Sequence, residues 1–303
     1  MSDELRGILN LDKPAGVTSR DVVNRVQRLA RPAKVGHAGT LDPLATGVLV
    51  VCVGRTTRLI QYVQRQPKSY RATFLMGRSS PTDDIEGPVT ADPAASDPSS
   101  QPGKEALKRA AGALVGRIEQ RPPAYSAVKV AGRRAYDLAR RGKDVQLAPR
   151  EVDVYRLDVV NYEYPRLELD IECGSGTYVR ALGRDLAASL GTSAVMSALR
   201  RTAVGRFRVE EAIAPDHLDQ ETWVQQLQPA RTAVADMPTL SLTAEQVAEV
   251  RAGKWLSLES VPANEGELAG VDPSGRLTAI LVPRGSMAEQ AEVASRWGPR
   301  VNL

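Results

Sequence analysis

Few side chains in this sequence could do chemistry unaided, and Asp42 comes first. It lies in GHAGTLDPLATGVL (residues 36–49), a stretch punctuated by glycine, threonine and proline. A carboxylate fixed by backbone geometry in such a loop could serve as a nucleophile or a base. An aspartate beside proline is more commonly a turn residue that accepts a backbone N–H, and taken alone Asp42 reads that way. The glycines do not make a nucleoside-triphosphate cradle, because the order GxxxxGK[ST] is missing and no lysine follows them. Asp83, Asp84 and Glu86 could hold a divalent cation, but in a polar loop they read as solvated charges. Other metal chemistry has little to draw on. His37 and His217 are the only histidines and Cys52 and Cys173 the only cysteines, with no CxxC, HxxxH or HExxH spacing. Both cysteines sit in apolar or strand-like sequence and read as small buried hydrophobes, a disulfide being the weaker alternative.

Tyr70, Tyr125, Tyr136 and Tyr178 each lie near lysine or arginine. Aromatics among cations suit stacking on unpaired RNA bases; each alone could equally be a core residue. Arg180 follows Tyr178 by two positions, so the pair would share a side if a strand ran through them. A buried guanidinium near Asp42 would hold that carboxylate ionised and oriented. Otherwise Arg180 is a surface cation in the first turn of a helix, where the helix dipole slightly disfavours it.

The elements that must position these residues are partly legible. Residues 8–12 read as a strand stopped by the Lys13-Pro14-Ala15-Gly16 turn. Thr18 or Ser19 then caps a helix in which Val22, Val23, Val26 and Leu29 recur at helical spacing up to Pro32. VLVVCV (48–53) reads as a buried strand, 55–64 as a helix and Tyr70–Met76 as another strand. Residues 79–103, rich in Ser, Pro, Asp and Gly, predict a mobile loop. A helix over 104–114 follows, then a densely basic segment (120–142), strands near 151–160 and 166–173, and a helix over Thr177–Leu190 closed by Gly191. Beyond Pro238 a short helix (243–251) and several strands predict a small β-rich unit. The fold class expected is α/β (α+β): a mixed, largely antiparallel sheet flanked by helices, with residues 1–235 as the main domain and 236–303 as the small one.

With 42 % hydrophobic and 25 % charged residues, the 303-residue chain can bury a core, and aromatics at 4 % leave Leu, Val and Ala to fill it. No run of about eighteen apolar residues could span a membrane. The N-terminus lacks a basic-then-apolar signal segment, so the expected location is the cytoplasm. The net charge of +4 is unevenly spread. Residues 1–150 hold 25 Lys/Arg against 14 Asp/Glu (+11), and residues 151–303 hold 15 against 22 (−7). A basic half favours a polyanionic partner, with nucleic acid foremost.

The combination is more specific than its parts. GHAGTLDPLATGVL closely resembles the catalytic motif of the TruB family of pseudouridine synthases. ILNLDKPAGVTS (8–19), Lys68-Ser69-Tyr70, Gly176-Thr177-Tyr178-Val179-Arg180 and Leu199-Arg200-Arg201 with Gly205 and Phe207 are similar to that family's other motifs, in the same order over about the first 210 residues. The resemblance implies that Asp42 is the essential carboxylate, that Tyr70 stacks on a flipped uracil, that Tyr178 contacts the target nucleotide and that Arg180 pairs with Asp42. It further implies that Leu199 lines the pocket, that His37 enters the RNA loop, and that Lys13 and Pro14 support the substrate-facing wall. Lys129, Arg133, Arg134, Arg140 and Arg141 would belong to an RNA-binding insertion (about 120–150) that closes on the T arm.

The implied reaction isomerises the T-loop uridine of tRNA, position 55, to pseudouridine. It imports no group and changes no oxidation state, so neither cofactor nor metal is expected. The rival readings are a non-catalytic tRNA-folding factor and an RNA-guided, dyskerin-like synthase. QRPPAYSAVKVAGRRAYDLARRG (120–142) resembles the insertion of standalone enzymes, so no guide RNA is expected, and the chain would act as a monomer. The C-terminal unit takes the position of a PUA domain. Its Gly-rich signature is unclear, and with nine acidic and six basic residues over 236–303 it would make an altered or weak RNA contact.

Overall fold

The computed structural model describes residues 5–93, 97–126, 129–130, 133–134, 147–258, 266–283 and 295–303. Strand Gly7–Lys13 is buried along nearly its whole length and pairs antiparallel with Thr46–Val53, whose β-branched run fills both faces. From that pair the main sheet continues through Ala194–Val204, Lys68–Met76, Arg166–Cys173 and Arg150–Glu163 to Gly116–Gln120. One neighbouring pair along it, Thr46–Val53 with Ala194–Val204, is parallel; the rest are antiparallel. This is the mixed, largely antiparallel α/β architecture expected from the sequence. The outer edge of Gly7–Lys13 would invite pairing with another chain. The chain itself caps it: Ile8 exchanges hydrogen bonds with Gln228, and Asn10 and Asp12 bond Ile213.

Two helices cover different parts of the sheet. Helix Ser19–Ala30 starts at Thr18, whose hydroxyl accepts the Asp21 N–H while the Asp21 carboxylate accepts the Thr18 N–H. Val22, Val23 and Val26 then pack on Leu9, Leu11, Leu49 and Val51. Helix Val179–Ser189 lies on the other part of the sheet, with Leu182 and Leu186 against Phe74, Met76, Leu167 and Leu169. Gly183 is required there, because a Cβ would stand 1.9 Å from the Phe74 ring. The helix expected over Thr177–Leu190 is present, with Tyr178 as the N-cap and Arg180 the second helical residue. The predicted helix 55–64 is a 3-10 turn, Gly54–Leu59, leading into a short α-helix, Ile60–Arg65.

Residues 239–302 form a second, five-stranded sheet in the order Thr239–Ser241, Leu268–Val271, Leu277–Pro283, Ser295–Asn302, Leu256–Leu258. It does not sit apart. Val271, Leu277, Ile280 and Val301 share one buried cluster with Ile8, Val48, Val50 and Cys52 of the main sheet. Tyr62 donates to Glu267 at 3.0 Å across the junction. Cys52 and Cys173 are both buried and unpaired, so the disulfide alternative falls; burial pushes their thiols up to about 12 and about 11. Among the described residues no helix is long and apolar enough to cross a membrane.

Candidate active site

The Asp42 loop is pinned on both flanks of the aspartate. Ser19, freed from capping by Thr18, donates its hydroxyl to the Leu41 carbonyl (3.0 Å) and accepts the Leu41 N–H (2.8 Å). The Pro43 carbonyl accepts from the Gly16 N–H at 2.9 Å and from Lys13 at 3.3 Å. Lys13 is fully buried and also donates to the Pro14 and Val17 carbonyls. Burial lowers its ammonium pKa, and the nearby Glu86 and Asp42 carboxylates oppose that shift. Its three donors are therefore committed to the backbone of the wall. Pro14 is exposed at the rim.

Arg201, which the sequence places in a motif without a role, ties the two ends of the loop together. It is 2 % exposed and donates to the Val48 carbonyl at 2.7 Å and to the Gly39 carbonyl at 3.1 Å. It stands directly opposite Tyr70 across the strand pair. Gly47, at φ +98°, lets the loop cross this strand; a Cβ there would lie 2.1 Å from the Arg201 carbonyl oxygen.

Arg180 is the hub of the site. Its guanidinium reaches Asp42 Oδ2 at 3.1 Å, Asp84 Oδ2 at 3.1 Å, the Thr82 carbonyl at 2.6 Å and the Tyr125 carbonyl at 3.1 Å. The two carboxylates differ in access. The Asp42 side chain keeps 41 % of its surface, whereas Asp84 keeps 3 % and Arg180 7 %. Asp84 is further held by the Thr82 hydroxyl (2.6 Å) and the Glu86 N–H (3.1 Å). One buried cation thus faces two carboxylates, of which Asp42 alone is half open. This corrects the reading of residues 83–86 as solvated charges in a mobile loop. Asp83 pairs with Arg184 at 2.8 Å, yet burial dominates and raises its pKa. Glu86 is the exposed member; its carboxyl is raised first by burial, then by Asp84 and Asp42.

Tyr70 and Leu199 share an apolar cluster with Leu41, the neighbour of Asp42. Tyr70 is half-buried, and burial is the main cause that pushes its phenol up, while Arg201 acts the other way. Tyr178 is clamped by its backbone: its N–H donates to Gln120 Oε1 at 2.8 Å and its carbonyl accepts from Gln120 Nε2 at 3.1 Å. Arg150 stacks over the Tyr178 ring at 4.8 Å and bonds the Gly176 carbonyl. Leu199 is 9 % exposed beside Thr46, which donates to its carbonyl. His37 is half-buried with Nδ1 unpartnered, and burial lowers its pKa. Lys129, Arg133 and Arg134 lie on a two-stranded hairpin in which Lys129 pairs with Arg134; Arg140 and Arg141 fall outside the described residues.

Two results follow for the supporting residues. Gln120→Ala should lower stability by about 1–3 kcal/mol, because it strips a half-buried N–H and carbonyl of their partner at once and removes a buried side chain. A urea midpoint unchanged from wild type would refute the clamp. Lys68 is 6 % exposed and donates to the Gln64 and Gln66 carbonyls. Burial, with repulsion from Arg201, pulls its pKa down to about 8. Between there and its unfolded value of about 10.4, the unfolded chain keeps a proton that the folded chain has shed. Stability therefore rises with pH across that window. In Lys68→Met the contribution is gone, so the wild-type minus variant unfolding free energy should grow from pH 8 to pH 10; a flat difference would contradict it.

Comparison with known proteins agrees with the motifs. Residues 27–179 match the family model described as TruB family pseudouridylate synthase (N terminal domain), and residues 180–237 match tRNA pseudouridylate synthase B C-terminal domain. A Corynebacterium aurimucosum protein named tRNA pseudouridine synthase B is 40% identical over 300 residues, 97% of this chain and 98% of its own. A Thermobifida fusca protein of the same name is 41% identical over 295 residues, 95% of this chain and 98% of its own. Among solved structures, a chain of a Cbf5-Nop10-Gar1 complex superposes with TM-score 0.74 at 26% identity, covering 98% of this chain and 85% of that one. A chain of the archaeal box H/ACA sRNP Nop10-Cbf5 complex shares the fold, with TM-score 0.73 at 22% identity over 99% of this chain and 86% of that one.

Proposed function

The chain belongs to the TruB family of pseudouridine synthases, enzymes that isomerise uridine, and on that premise we propose that Asp42 drives conversion of the T-loop uridine of tRNA, position 55, to pseudouridine. The observation that carries the reading is the asymmetry around Arg180: a buried guanidinium held by four acceptors grips Asp42 on one side, and the rest of that carboxylate stays open to solvent. A fixed cation orients the carboxylate without covering it, and in a site that excludes water such a fixed charge acts strongly.

In the reaction the C1′–N1 bond breaks, the uracil turns, and C5 bonds to C1′; the C5 proton leaves and N1 ends protonated, so the product is an isomer. An ionised Asp42 serves this chemistry either by adding to C1′ or by stabilising positive charge there while a sugar proton is removed. The target base must leave its stack at a cost of a few kcal/mol. Tyr70 and Leu199 offer an apolar seat for it, and His37, half-buried just before the Asp42 loop, suits the space vacated in the RNA loop. Lys129, Arg133 and Arg134 belong in this reading to the RNA-gripping insertion.

We favour a standalone, monomeric enzyme acting in the cytoplasm over an RNA-guided one. Identity near 40% runs almost end to end with relatives named tRNA pseudouridine synthase B, against 26% with the Cbf5 chain. The test is tritium release from C5-labelled uridine in a tRNA transcript, without any other RNA or protein. A single equivalent should be released, and none once the T-loop uridine is replaced by cytidine. Undiminished release from the cytidine transcript would overturn the T-loop assignment, and no release from either would favour the folding factor.

A further inference from the structure

Tyr70 and Tyr178 are held in different ways. Tyr70 packs in the apolar cluster that contains Leu41 and Leu199, whereas among the described residues Tyr178 belongs to none of the buried apolar clusters. The backbone around Tyr178 is nevertheless fixed at several points, all on the two strands at one end of the main sheet. Gln120, on the last strand, clamps the Tyr178 N–H and carbonyl. On its neighbour, the Asp153 carbonyl accepts the Gly174 N–H at 2.8 Å. Gly176, whose φ of +90° suits glycine, offers its carbonyl to Arg150 on that same strand.

What these bonds leave free is the ring, because a tyrosine with a pinned backbone still turns about two side-chain torsions. Arg150 closes that freedom: its guanidinium lies over the Tyr178 ring, 4.8 Å from the centroid. Arg150 stands directly opposite Gln120 across the strand pair, so one strand holds the tyrosine by its backbone and the other holds it by its ring. Hydrogen bonding alone does not dictate where this guanidinium sits. Its Nε is buried without an acceptor, and a buried unpaired N–H is costly. A cation over the face of an aromatic ring offsets such a cost, and does so more strongly where the pair is desolvated; Arg150 and Tyr178 are each half-buried.

We propose that Arg150 is a positioning residue for the reaction, which by stacking on Tyr178 fixes the ring at the angle where the phenol hydroxyl meets the target nucleotide. The proposal rests on the reading above, in which a tRNA uridine enters this pocket. Arg150 acts through the tyrosine and takes no part in the bond changes. Its loss therefore costs rate more than capture, and the backbone bonds from Gln120 and Asp153 keep the turn in place without it.

The test compares Arg150→Met and Arg150→Lys with the unsubstituted full chain, on a whole tRNA transcript carrying C5-labelled uridine. In Arg150→Met the single-turnover rate should fall about thirtyfold, the scale on which a slight misplacement of a reacting group acts, while Kd rises less than about threefold. Arg150→Lys keeps a cation over the ring and should hold the rate within about threefold of wild type. A loss confined to Kd, with the single-turnover rate unchanged, would mark Arg150 as a phosphate contact and overturn the proposal. A double-mutant cycle isolates the tyrosine: with Tyr178→Phe already in place, Arg150→Met should cost less than about twofold more. An undiminished loss in that background would show that Arg150 does not act through the hydroxyl. A further measurement needs no substrate. With fluorotyrosine incorporated, the fluorine resonance missing from Tyr178→Phe identifies this ring; it should move and broaden in Arg150→Met and stay near its place in Arg150→Lys. An unmoved resonance in Arg150→Met would overturn the stacking role. If the unsubstituted protein releases no tritium from tRNA, the uridine reading falls, and the fluorine comparison still decides whether Arg150 sets the ring.

Discussion

Asp42→Asn should slow turnover by at least about a thousandfold, the scale on which removal of an essential reacting group acts, while the Kd for tRNA moves by less than about tenfold. The substitution keeps the side chain's volume and leaves one oxygen for Arg180, so the loop held by Ser19, Lys13 and Arg201 has no cause to move. What disappears is the negative charge on the open side. Single-turnover tritium release and filter binding on the same preparation separate the two effects. Release at the wild-type rate would remove Asp42 from the chemistry.

Arg180→Met should be costly twice over. It leaves Asp84 as a buried carboxylate without its cation and two carbonyls, of Thr82 and Tyr125, without their donor. Removing one member of such a pair typically costs about 3–5 kcal/mol of stability. Turnover should fall by about a thousandfold or more, because nothing then aims Asp42. A second variant keeps the two effects apart. Adding Asp84→Asn in the same chain removes the stranded charge, so the urea midpoint should recover in part while turnover stays lost. Recovery of both together would mean that Arg180 acts through folding alone. Lysine at this position should not replace it, since one ammonium cannot span four acceptors arranged for a planar fork.

Periodicity made the framework legible: the valine spacing of helix Ser19–Ala30 and the run VLVVCV needed no other guide. Strand Gly116–Gln120 escaped, because GRIEQ has no apolar alternation; it lies at the sheet's far edge and is recognisable only by its partner strand. In the site, residue chemistry alone favoured Asp42 as an ordinary turn residue. Only the ordered set of family motifs lifted it above that, and the same motifs carried Arg180, Tyr70 and Tyr178. Asp84 was misjudged because its neighbours in sequence are polar while its partner in space is 96 residues away. Gln120 and Arg201 went unread for a related reason. Each works by touching backbone carbonyls or N–H groups of distant segments, and such contacts leave no trace in local composition. A fully buried arginine between carbonyls looks, in sequence, like any basic residue of a strand.

The guanidinium that steadies Asp42 also leans on the Tyr125 carbonyl, and one turn later Arg184 donates to the Arg121 carbonyl at 2.8 Å. Both acceptors stand at the root of the basic insertion, so whatever shifts that root also disturbs Asp42. Recognition and commitment then share a single fulcrum. Under the proposed function, an ill-fitting RNA would bind yet go unmodified, and fidelity would be expressed in the rate of the chemical step as much as in the strength of capture.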